Sequence, residues 1–204
     1  MSQALIFATH NENKVKEVCS LLGTDYDILS LREIAYLDDI PEPYDTLEAN
    51  AREKSSVIYR LTGRNCFSED TGLEIQVLGG RPGVLSARYA GPGKVAKDNI
   101  AKVLSEMTGI EDRSARFRTV ISLFIGGEEY QFEGVCTGRI AREPKGDEGF
   151  GYDPIFKPTG AEKTFAQMTM SEKALHSHRA RAFEKLTSFL QERIKSADHA
   201  QSKS

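Results

Sequence analysis

Tryptophan is absent from this sequence of 204 residues, and cysteine occurs only three times. The three cysteines, Cys19, Cys66 and Cys136, are odd in number and show no Cys-x-x-Cys spacing. These features argue against a disulfide framework and against a zinc site, and they fit a reducing compartment. We therefore expect a cytoplasmic protein whose core is stabilised without crosslinks.

Long apolar runs and a strong excess of one charge are also lacking. No stretch approaches the roughly 18 apolar residues that a membrane-spanning helix needs. Residues 1–14 contain too short an apolar stretch, with no basic lead, for a signal peptide. The formal net charge of −3 argues against a broad nucleic-acid-binding surface, although it allows a small phosphate pocket. We expect neither a membrane nor a nucleic acid as partner.

The composition that is present is that of an ordinary globular protein, with 39% apolar and 28% charged residues. A chain of this length forms one domain and is large enough to bury its own core. We expect this domain to span residues 1–195. The polar residues 196–204 are expected to form a disordered tail.

The hydrophobic pattern predicts helices that alternate with strands. Strands are predicted at residues 4–8, 66–68, 73–77, 117–125 and 130–140, and helices at residues 15–22, 46–63, 96–107 and 183–194. Gly23 is expected to end the first helix, Thr71-Gly72 to form a turn, and Gly126-Gly127 to join a hairpin. This order predicts an α/β fold with a mixed twisted sheet and flanking helices.

A polar segment connects the first predicted strand to the first helix. It consists of Thr9, His10, Asn11, Glu12, Asn13 and Lys14. The first amides of a helix lack internal partners and carry the positive end of its dipole, so this segment suits a phosphate. An alternative interpretation is that Thr9 or Asn11 simply caps the helix and that Lys14 lies on a solvated face.

The second helix carries a lysine within its apolar stripe. Lys54 lies between Ala51 and Ile58 in this stripe. Because lysine is rarely buried without a partner, the side chain either extends past the stripe into solvent or points into a cleft and meets a negative group.

Two groups of carboxylates are candidates for a metal site. Glu42 lies between Pro41 and Pro43 in an acidic run, where the prolines stiffen the chain. Glu69 and Asp70 are placed at a predicted strand end, although an Asp-x-Gly turn is the simpler explanation there. Carboxylate oxygens favour Mg²⁺ or Mn²⁺ over zinc.

The last third of the chain supplies aromatic rings and hydrogen-bond donors. Phe150 and Tyr152 lie in a glycine-rich loop, where their rings could stack on a nucleobase. Lys173, His176, His178 and Arg179 lie just before the last predicted helix and are candidate donors to an anionic or acceptor-rich ligand. Together with the lysines and carboxylates, this inventory fits a nucleoside triphosphate with Mg²⁺.

These residues resemble the inosine triphosphate pyrophosphatase family. The motifs that carry the resemblance are Thr9-x-Asn11-x-x-Lys14, Glu69-Asp70-Thr71-Gly72, the run from Gly149 to Pro154, and Lys173 followed by Ser177-His178-Arg179. The stretches Leu78-Gly79-Gly80-Arg81-Pro82-Gly83 and Ser86-Ala87-Arg88-Tyr89 are also similar to the family. They occur in the family's order over about residues 6–186. The sequence departs from the family pattern at Glu69, where bacterial members usually have aspartate, and at Glu48, which is displaced by one position. The additional His176 matches none of these motifs.

The resemblance implies two lobes around a central nucleotide-binding cleft, and a homodimer. It implies hydrolysis of non-standard purine nucleoside triphosphates (ITP, dITP, XTP) to the monophosphate and pyrophosphate, which removes deaminated purines from the nucleotide pool. We expect Asp70 to be the general base and to hold Mg²⁺, or Mn²⁺, together with a second carboxylate. The spacing to Lys54 favours Glu42 for that second ligand, with Glu48 as the alternative. The expected substrate-binding residues are Thr9, His10, Asn11, Glu12, Asn13, Lys14, Lys54, Thr71, Phe150, Gly151, Tyr152, Asp153, Lys173, His178 and Arg179.

Two other functions remain as alternatives. One is a Maf-like pyrophosphatase acting on modified or pyrimidine nucleotides, which the Phe-Gly-Tyr-Asp and Ser-His-Arg elements disfavour. The other is a nucleotide-binding module without turnover, which would keep the lysines and aromatic rings but would not need Asp70. A Rossmann dehydrogenase is disfavoured because no Gly-x-Gly-x-x-Gly follows the first strand.

Overall fold

The computed structural model describes residues 3–22 and 26–201. The strands are β1 (Gln3–Phe7), β2 (Tyr26–Ser30), β3 (Cys66–Ile75), β4 (Pro82–Gly83), β5 (Ser114–Ile125), β6 (Glu128–Ile140) and β7 (Phe156–Pro158). The α-helices are α1 (Glu12–Leu22), α2 (Leu47–Thr62), α3 (Ala96–Glu106), α4 (Met170–His176) and α5 (His178–Gln201). Short 3-10 helices cover Gln76–Leu78, Ser86–Arg88, Asp153–Ile155 and Phe165–Gln167. Within the described ranges, none of the helices has the length and apolarity needed to cross a bilayer.

The strands form one mixed sheet in the order β2-β1-β3-β5-β6-β7, with β4 also paired to β3. Strand β1 is parallel to β2 and β3, and the remaining pairs are antiparallel. Successive side chains of β5 point to opposite faces of the sheet. Ser122 therefore reaches Ser55 of α2 on one face, whereas Ile121 and Leu123 pack with residues of α5 on the other. The predicted mixed sheet with flanking helices is confirmed.

Local sequence signals set the ends of α2. The Thr46 hydroxyl accepts a hydrogen bond from the Ala49 amide, and Gly63 takes a left-handed conformation that closes the helix. The β5–β6 hairpin turns at Gly126 and Gly127, both with positive φ, as a two-residue loop of type I′ requires. The predicted end of the first helix at Gly23 lies outside the described residues.

The turn predicted at Thr71-Gly72 is wrong, because β3 runs without interruption from Cys66 to Ile75. Ten consecutive pairings with β5 hold it extended. Gly72 serves a different purpose there: a Cβ at this position would lie 2.8 Å from the carbonyl oxygen of Gly83. The glycine thus allows β4 to approach β3.

The C-terminal helix also extends beyond the sequence-based expectation. Helix α5 continues to Gln201, past residue 196, where the polar tail was expected to begin. Residues 202–204 of that tail lie outside the described residues. Strands β2, β4 and β7 and helix α4 were not predicted.

A gap in the sheet beside β3 positions the functional site. Strand β1 pairs with β3 only at Cys66 and Phe67, and β4 pairs with it only at Leu73 and Glu74. Among the described strands, none pairs with the intervening residues 68–72 on that side of β3. Asp70 lies in this interval.

Candidate active site

A cavity of about 680 Å³ includes residues from both ends of the gap, Ala8 and Ser86, with Asp70 between them. The predicted site residues that line it are Thr9, His10, Asn11, Asn13, Lys14, Glu42, Lys54, Asp70, Thr71, Phe150, Gly151, Tyr152, Asp153, Lys173, His178 and Arg179. Glu12 does not line it; this side chain is exposed and forms an ion pair with Arg32 at 3.6 Å. The structure therefore brings together every predicted site residue except Glu12.

The segment before α1 combines the two interpretations that the sequence left open. The Asn11 side-chain oxygen accepts hydrogen bonds from the amides of Asn13 (3.0 Å) and Lys14 (3.2 Å), so Asn11 does cap the helix. Lys14, however, does not lie on a solvated face. Its side chain is only 15% exposed, and its Nζ lies 3.3 Å from Glu69 Oε1. Burial lowers the pKa of Lys14, and the Glu69 carboxylate opposes this effect.

Lys54 points into the cavity rather than into solvent. Its Nζ donates to Glu42 Oε1 at 2.5 Å and to Asp70 Oδ1 at 3.0 Å. Burial alone would lower the pKa of Lys54, but these two carboxylates outweigh burial and raise it. Burial raises the pKa of Asp70 despite the nearby ammonium groups, whereas Lys54 holds the pKa of Glu42 below its usual value.

The Glu42 and Asp70 carboxylates fit a divalent cation that also binds substrate. One oxygen of each carboxylate accepts a hydrogen bond from the Lys54 ammonium, although Glu42 lies 12 residues before Lys54 and Asp70 lies 16 residues after it. Within the described chain, no three His, Cys, Asp or Glu side chains group into a metal site. Two carboxylates suffice for Mg²⁺, which keeps several waters and takes further ligands from substrate phosphates. Glu48 lies elsewhere and pairs with Arg118.

Glu69 and Asp70 are adjacent in β3 and consequently point to opposite faces of the sheet. Glu69 is buried and accepts three hydrogen bonds from the Arg179 guanidinium, at 2.8 to 3.0 Å. Burial would raise the pKa of Glu69, but Arg179 and Lys14 lower it to about 2. The two carboxylates therefore do not form a pair at a strand end. Glu69 is hydrogen-bonded to Arg179, and Asp70 is hydrogen-bonded to Lys54.

The glycine-rich loop is fixed by Asp153. The buried Asp153 carboxylate accepts from the Phe150 amide at 2.8 Å and from Lys173 Nζ at 2.7 Å. The Tyr152 hydroxyl donates to the Ser86 carbonyl at 2.9 Å, and the residue as a whole is only 4% exposed. Phe150 is more accessible, with Lys173 Nζ 5.1 Å from its ring centroid. Phe150 is thus the better stacking surface of the two predicted rings.

His178 is buried at the cavity wall and stacks on Phe117, with ring centroids 4.6 Å apart. Burial, with the nearby Arg179 and Lys173 charges, lowers its pKa well below the usual value, so the imidazole is neutral. Among the described side chains, His178 Nδ1 is the one buried nitrogen or oxygen atom without a hydrogen-bond partner. A buried polar atom of this kind needs a partner, which an ordered water or a bound ligand can supply.

Two residues of the site were missed from the sequence. Glu17 of α1 accepts from Lys173 Nζ at 2.5 Å and also from Arg179. Its position three residues after Lys14, on the same helix face, was a usable signal. Arg88 lines the cavity and contacts Glu42. The spacing of Arg88 and Glu42 in the sequence gives no indication of this contact, since 46 residues separate them. His176 does not line the cavity.

Comparison with known proteins gives consistent matches. The model of the Ham1 family matches residues 5–189. A relative from Bacillus subtilis, named dITP/XTP pyrophosphatase, is 47% identical over 195 residues, covering 94% of this chain and 98% of the relative. A relative of the same name from Christiangramia forsetii is 47% identical over 186 residues, covering 91% and 98%. The solved structure of the Staphylococcus aureus Ham1 protein has a TM-score of 0.85 at 35% identity, covering 94% and 100%.

Proposed function

The chain belongs to the Ham1 family, and from this membership and the cavity we propose that it hydrolyses non-standard purine nucleoside triphosphates to the monophosphate and pyrophosphate. It is a nucleoside triphosphate pyrophosphatase. The observation that carries the proposal is the convergence of Lys14, Lys54 and Lys173 with the Glu42 and Asp70 carboxylates in one cavity. The removal of deaminated purine nucleotides is the cellular task that follows from this activity.

The three lysines bind the phosphate chain. A triphosphate carries about four negative charges, and the leaving pyrophosphate has to be stabilised as the bond between the α and β phosphates breaks. Each of these lysines is largely buried and held by carboxylates. The ammonium groups are thereby oriented before substrate arrives.

Glu42 and Asp70 would hold Mg²⁺, with Mn²⁺ as an alternative. The bound ion would supply positive charge that stabilises the phosphate oxygens during transfer. This assignment is supported by the two hard-oxygen donors that face the same cation in the structure.

Asp70 is the general base in this proposal. Its carboxylate accepts a proton from the water that attacks the α phosphorus, and the pyrophosphate leaves as the bond to the β phosphate breaks. General-base catalysis of this kind contributes typically ~10²–10⁴-fold. The hydrogen bond from Lys54 at 3.0 Å orients the carboxylate.

His178 and Phe150 select the base. His178 lines the cavity, and its neutral imidazole donates a ring N–H to the C6 oxygen of hypoxanthine or xanthine. Adenine has an amino donor at that position, which leaves the imidazole N–H unpaired. A site of this kind discriminates by up to about 10⁴–10⁵-fold. Arg179 contributes less directly, because its guanidinium is committed to Glu69 and Glu17. The Phe150 ring provides the stacking surface.

The test is a panel of nucleoside triphosphates with and without Mg²⁺, with pyrophosphate and monophosphate as the products measured. We expect ITP, dITP and XTP to be cleaved with a far higher kcat/KM than ATP. A comparable kcat/KM for ATP and ITP would contradict the base selectivity. Nucleotide binding without pyrophosphate release would favour the binding-module alternative.

The substitution Asp70→Asn is expected to abolish nearly all turnover while the protein stays folded. The matched control is Asp98→Asn on α3, where the aspartate is exposed and outside the cavity. Circular dichroism and thermal unfolding check the fold of both variants. Full activity of Asp70→Asn would contradict the assignment of the base.

The family resemblance also supports a homodimer that acts in the cytoplasm. Light scattering after size-exclusion chromatography gives the mass in solution. A monomeric mass would contradict the proposed dimer.

A further inference from the structure

We propose that Arg88 is a positioning residue that fixes Glu42 at the cavity. The proposal rests on the proposed function, because Glu42 matters as a ligand for the divalent ion. Arg88 Nη2 donates to the main-chain carbonyl of Glu42 at 3.1 Å, and Nη1 lies 3.4 Å from Glu42 Oε2. Lys54 binds the other carboxylate oxygen, Oε1, at 2.5 Å. Each oxygen of Glu42 therefore faces one cation, and only Arg88 also holds its backbone.

The Glu42 side chain needs such support because its segment has no regular structure. Residues 36–46 lie outside all helices and strands. His10 Nε2 contacts the Asp38 carbonyl oxygen at 2.9 Å, and Asn50 exchanges two hydrogen bonds with the Tyr44 backbone. Between these anchors, the contacts from Arg88 and Lys54 to Glu42 are the hydrogen bonds and ion pairs found in the described structure for residues 39–43.

Arg88, by contrast, lies on a well-anchored turn. The buried Asn99 side chain of α3 donates to the Ala87 carbonyl at 3.0 Å and accepts from the Ala90 amide at 2.7 Å. On the other side of the turn, the Tyr152 hydroxyl donates to the Ser86 carbonyl. Through the guanidinium of Arg88, this anchored turn therefore holds Glu42 and the irregular segment around it in place.

Arginine suits this role better than lysine. Its planar fork binds a carbonyl and a carboxylate at the same time, whereas an ammonium acts as a single point charge. A nearby cation by itself weakens the binding of a metal ion at the same carboxylate. If charge alone mattered, removal of Arg88 would leave metal binding unchanged or tighten it; if position matters, removal weakens it.

The experiment compares Arg88→Gln, Arg88→Lys and the control Arg142→Gln with the wild type. Arg142 is an exposed arginine that binds Glu111 at 2.9 Å, away from the cavity. Hydrogen–deuterium exchange of residues 37–44 is measured in the metal-free protein. Steady-state kinetics separately give the Mg²⁺ concentration for half-maximal activity and the KM for ITP at saturating Mg²⁺.

We expect faster exchange of residues 37–44 in Arg88→Gln and a half-saturating Mg²⁺ concentration raised about 10- to 100-fold, as for other groups that orient metal ligands. The KM at saturating Mg²⁺ stays near the wild-type value. Arg88→Lys retains the charge without the fork, so exchange and Mg²⁺ requirement fall between those of wild type and Arg88→Gln. Arg142→Gln behaves as wild type.

Unchanged exchange in both Arg88 variants would overturn the proposal. An unchanged Mg²⁺ requirement with a raised KM would also overturn it, because Arg88 would then contact the substrate directly. If Arg88→Gln does not fold, Arg88→Lys decides, since a purely electrostatic role predicts wild-type values for it. Absence of Mg²⁺-dependent pyrophosphate release in the wild type would instead contradict the proposed function, and the exchange comparison would remain valid on its own.

Discussion

At the scale of single residues, β3 gives two neighbouring carboxylates opposite properties. Burial would raise the pKa of both carboxyl groups, but the charges of Arg179 and Lys14 lower the pKa of Glu69 to about 2, whereas the pKa of Asp70 stays raised. The alternation of side chains along a strand is the cause, since it gives Glu69 the Arg179 guanidinium and Asp70 the Lys54 ammonium as hydrogen-bond partners. Glu69 is therefore held ionised beside Arg179 at neutral pH, whereas the ionised form of Asp70 is disfavoured. Environments that shift the pKa values of two carboxyl groups in opposite directions suit the two groups to different roles.

The substitution Glu69→Gln tests the structural role. We expect the free energy of unfolding at pH 7 to fall by about 3–5 kcal/mol, because Arg179 loses a buried partner. The pKa of Glu69 is lower in the folded protein than the ordinary value of 4.5. Its stabilisation is therefore complete above pH 4.5 and is lost as the pH falls towards 2.

Urea unfolding at pH 7, 4 and 3 measures this effect. The difference between wild type and Glu69→Gln should shrink as the pH falls. The control is Glu162→Gln, where the exposed carboxylate pairs with Lys157, and it should leave stability unchanged. A difference that stays constant across this pH range would show that the lowered pKa of Glu69 does not contribute to folding stability.

At the scale of elements, the sequence predicts what is decided locally. Thr46 and Gly63 mark the ends of α2 because a cap involves only neighbouring residues. The error at Thr71-Gly72 has the opposite origin. The local pair is typical of a turn, but pairing with residues 115–124 of β5 keeps the chain extended. Short strands such as β4 and β7 were missed for the same reason, because they depend on partners far along the chain.

The site shows the same division between local and distant information. Lys14 and Asn11 could be identified because a strand, a polar loop and a helix follow one another directly. The contact between Arg88 and Glu42 spans 46 residues and has no pattern in the sequence. Whether Lys54 turned to solvent or to the cavity also depended on where Glu42 and Asp70 lie after folding. Sequence patterns thus identified most of the predicted residues that line the cavity, and contacts between distant parts of the chain determine how they are arranged.

The packing of β4 on β3 leads to a prediction for Gly72→Ala. The new Cβ would lie 2.8 Å from the Gly83 carbonyl oxygen and 3.0 Å from its carbon, both main-chain atoms that cannot rotate away. We expect a loss of about 1–3 kcal/mol in unfolding free energy. Because β4 leads into the turn that carries Arg88, we also expect lower activity at limiting Mg²⁺.

Gly93→Ala is the matched control for this substitution. A Cβ at Gly93 has its nearest contact at 3.7 Å, with a side-chain atom of Val95. Urea unfolding and the Mg²⁺ dependence of ITP hydrolysis should be near wild type for this variant. If Gly72→Ala were equally neutral, the close approach of β4 to β3 would not constrain the site.

At the scale of the whole molecule, the cavity ties distant parts of the chain together. Its lining comes from the segment before α1, from α2 and β3, from the turn at residues 86–88, and from the glycine-rich loop with α4 and α5. Many of these groups are cations held by carboxylates, although the whole chain carries a net charge of −3. A triphosphate bound in this cavity, as proposed, would contact elements from both ends of the sequence. We expect it to stabilise the fold as a unit.

Thermal unfolding with the α,β-methylene analogue of ITP, which resists cleavage between the α and β phosphates, measures this coupling. At a concentration 100 times its Kd with Mg²⁺, a ligand that binds only the folded state adds about 2.7 kcal/mol. For a chain of this size that corresponds to a rise in Tm of about 5–10 °C.

In Lys14→Met the rise at the same concentration should be much smaller, because a phosphate-binding cation is lost. The control Lys163→Met removes a half-exposed lysine that pairs with Glu172, and it should retain the full rise. Each variant is compared with its own ligand-free Tm, so that a change in basal stability does not enter the result. An equal rise in Lys14→Met and Lys163→Met would show that Lys14 does not bind the phosphate chain.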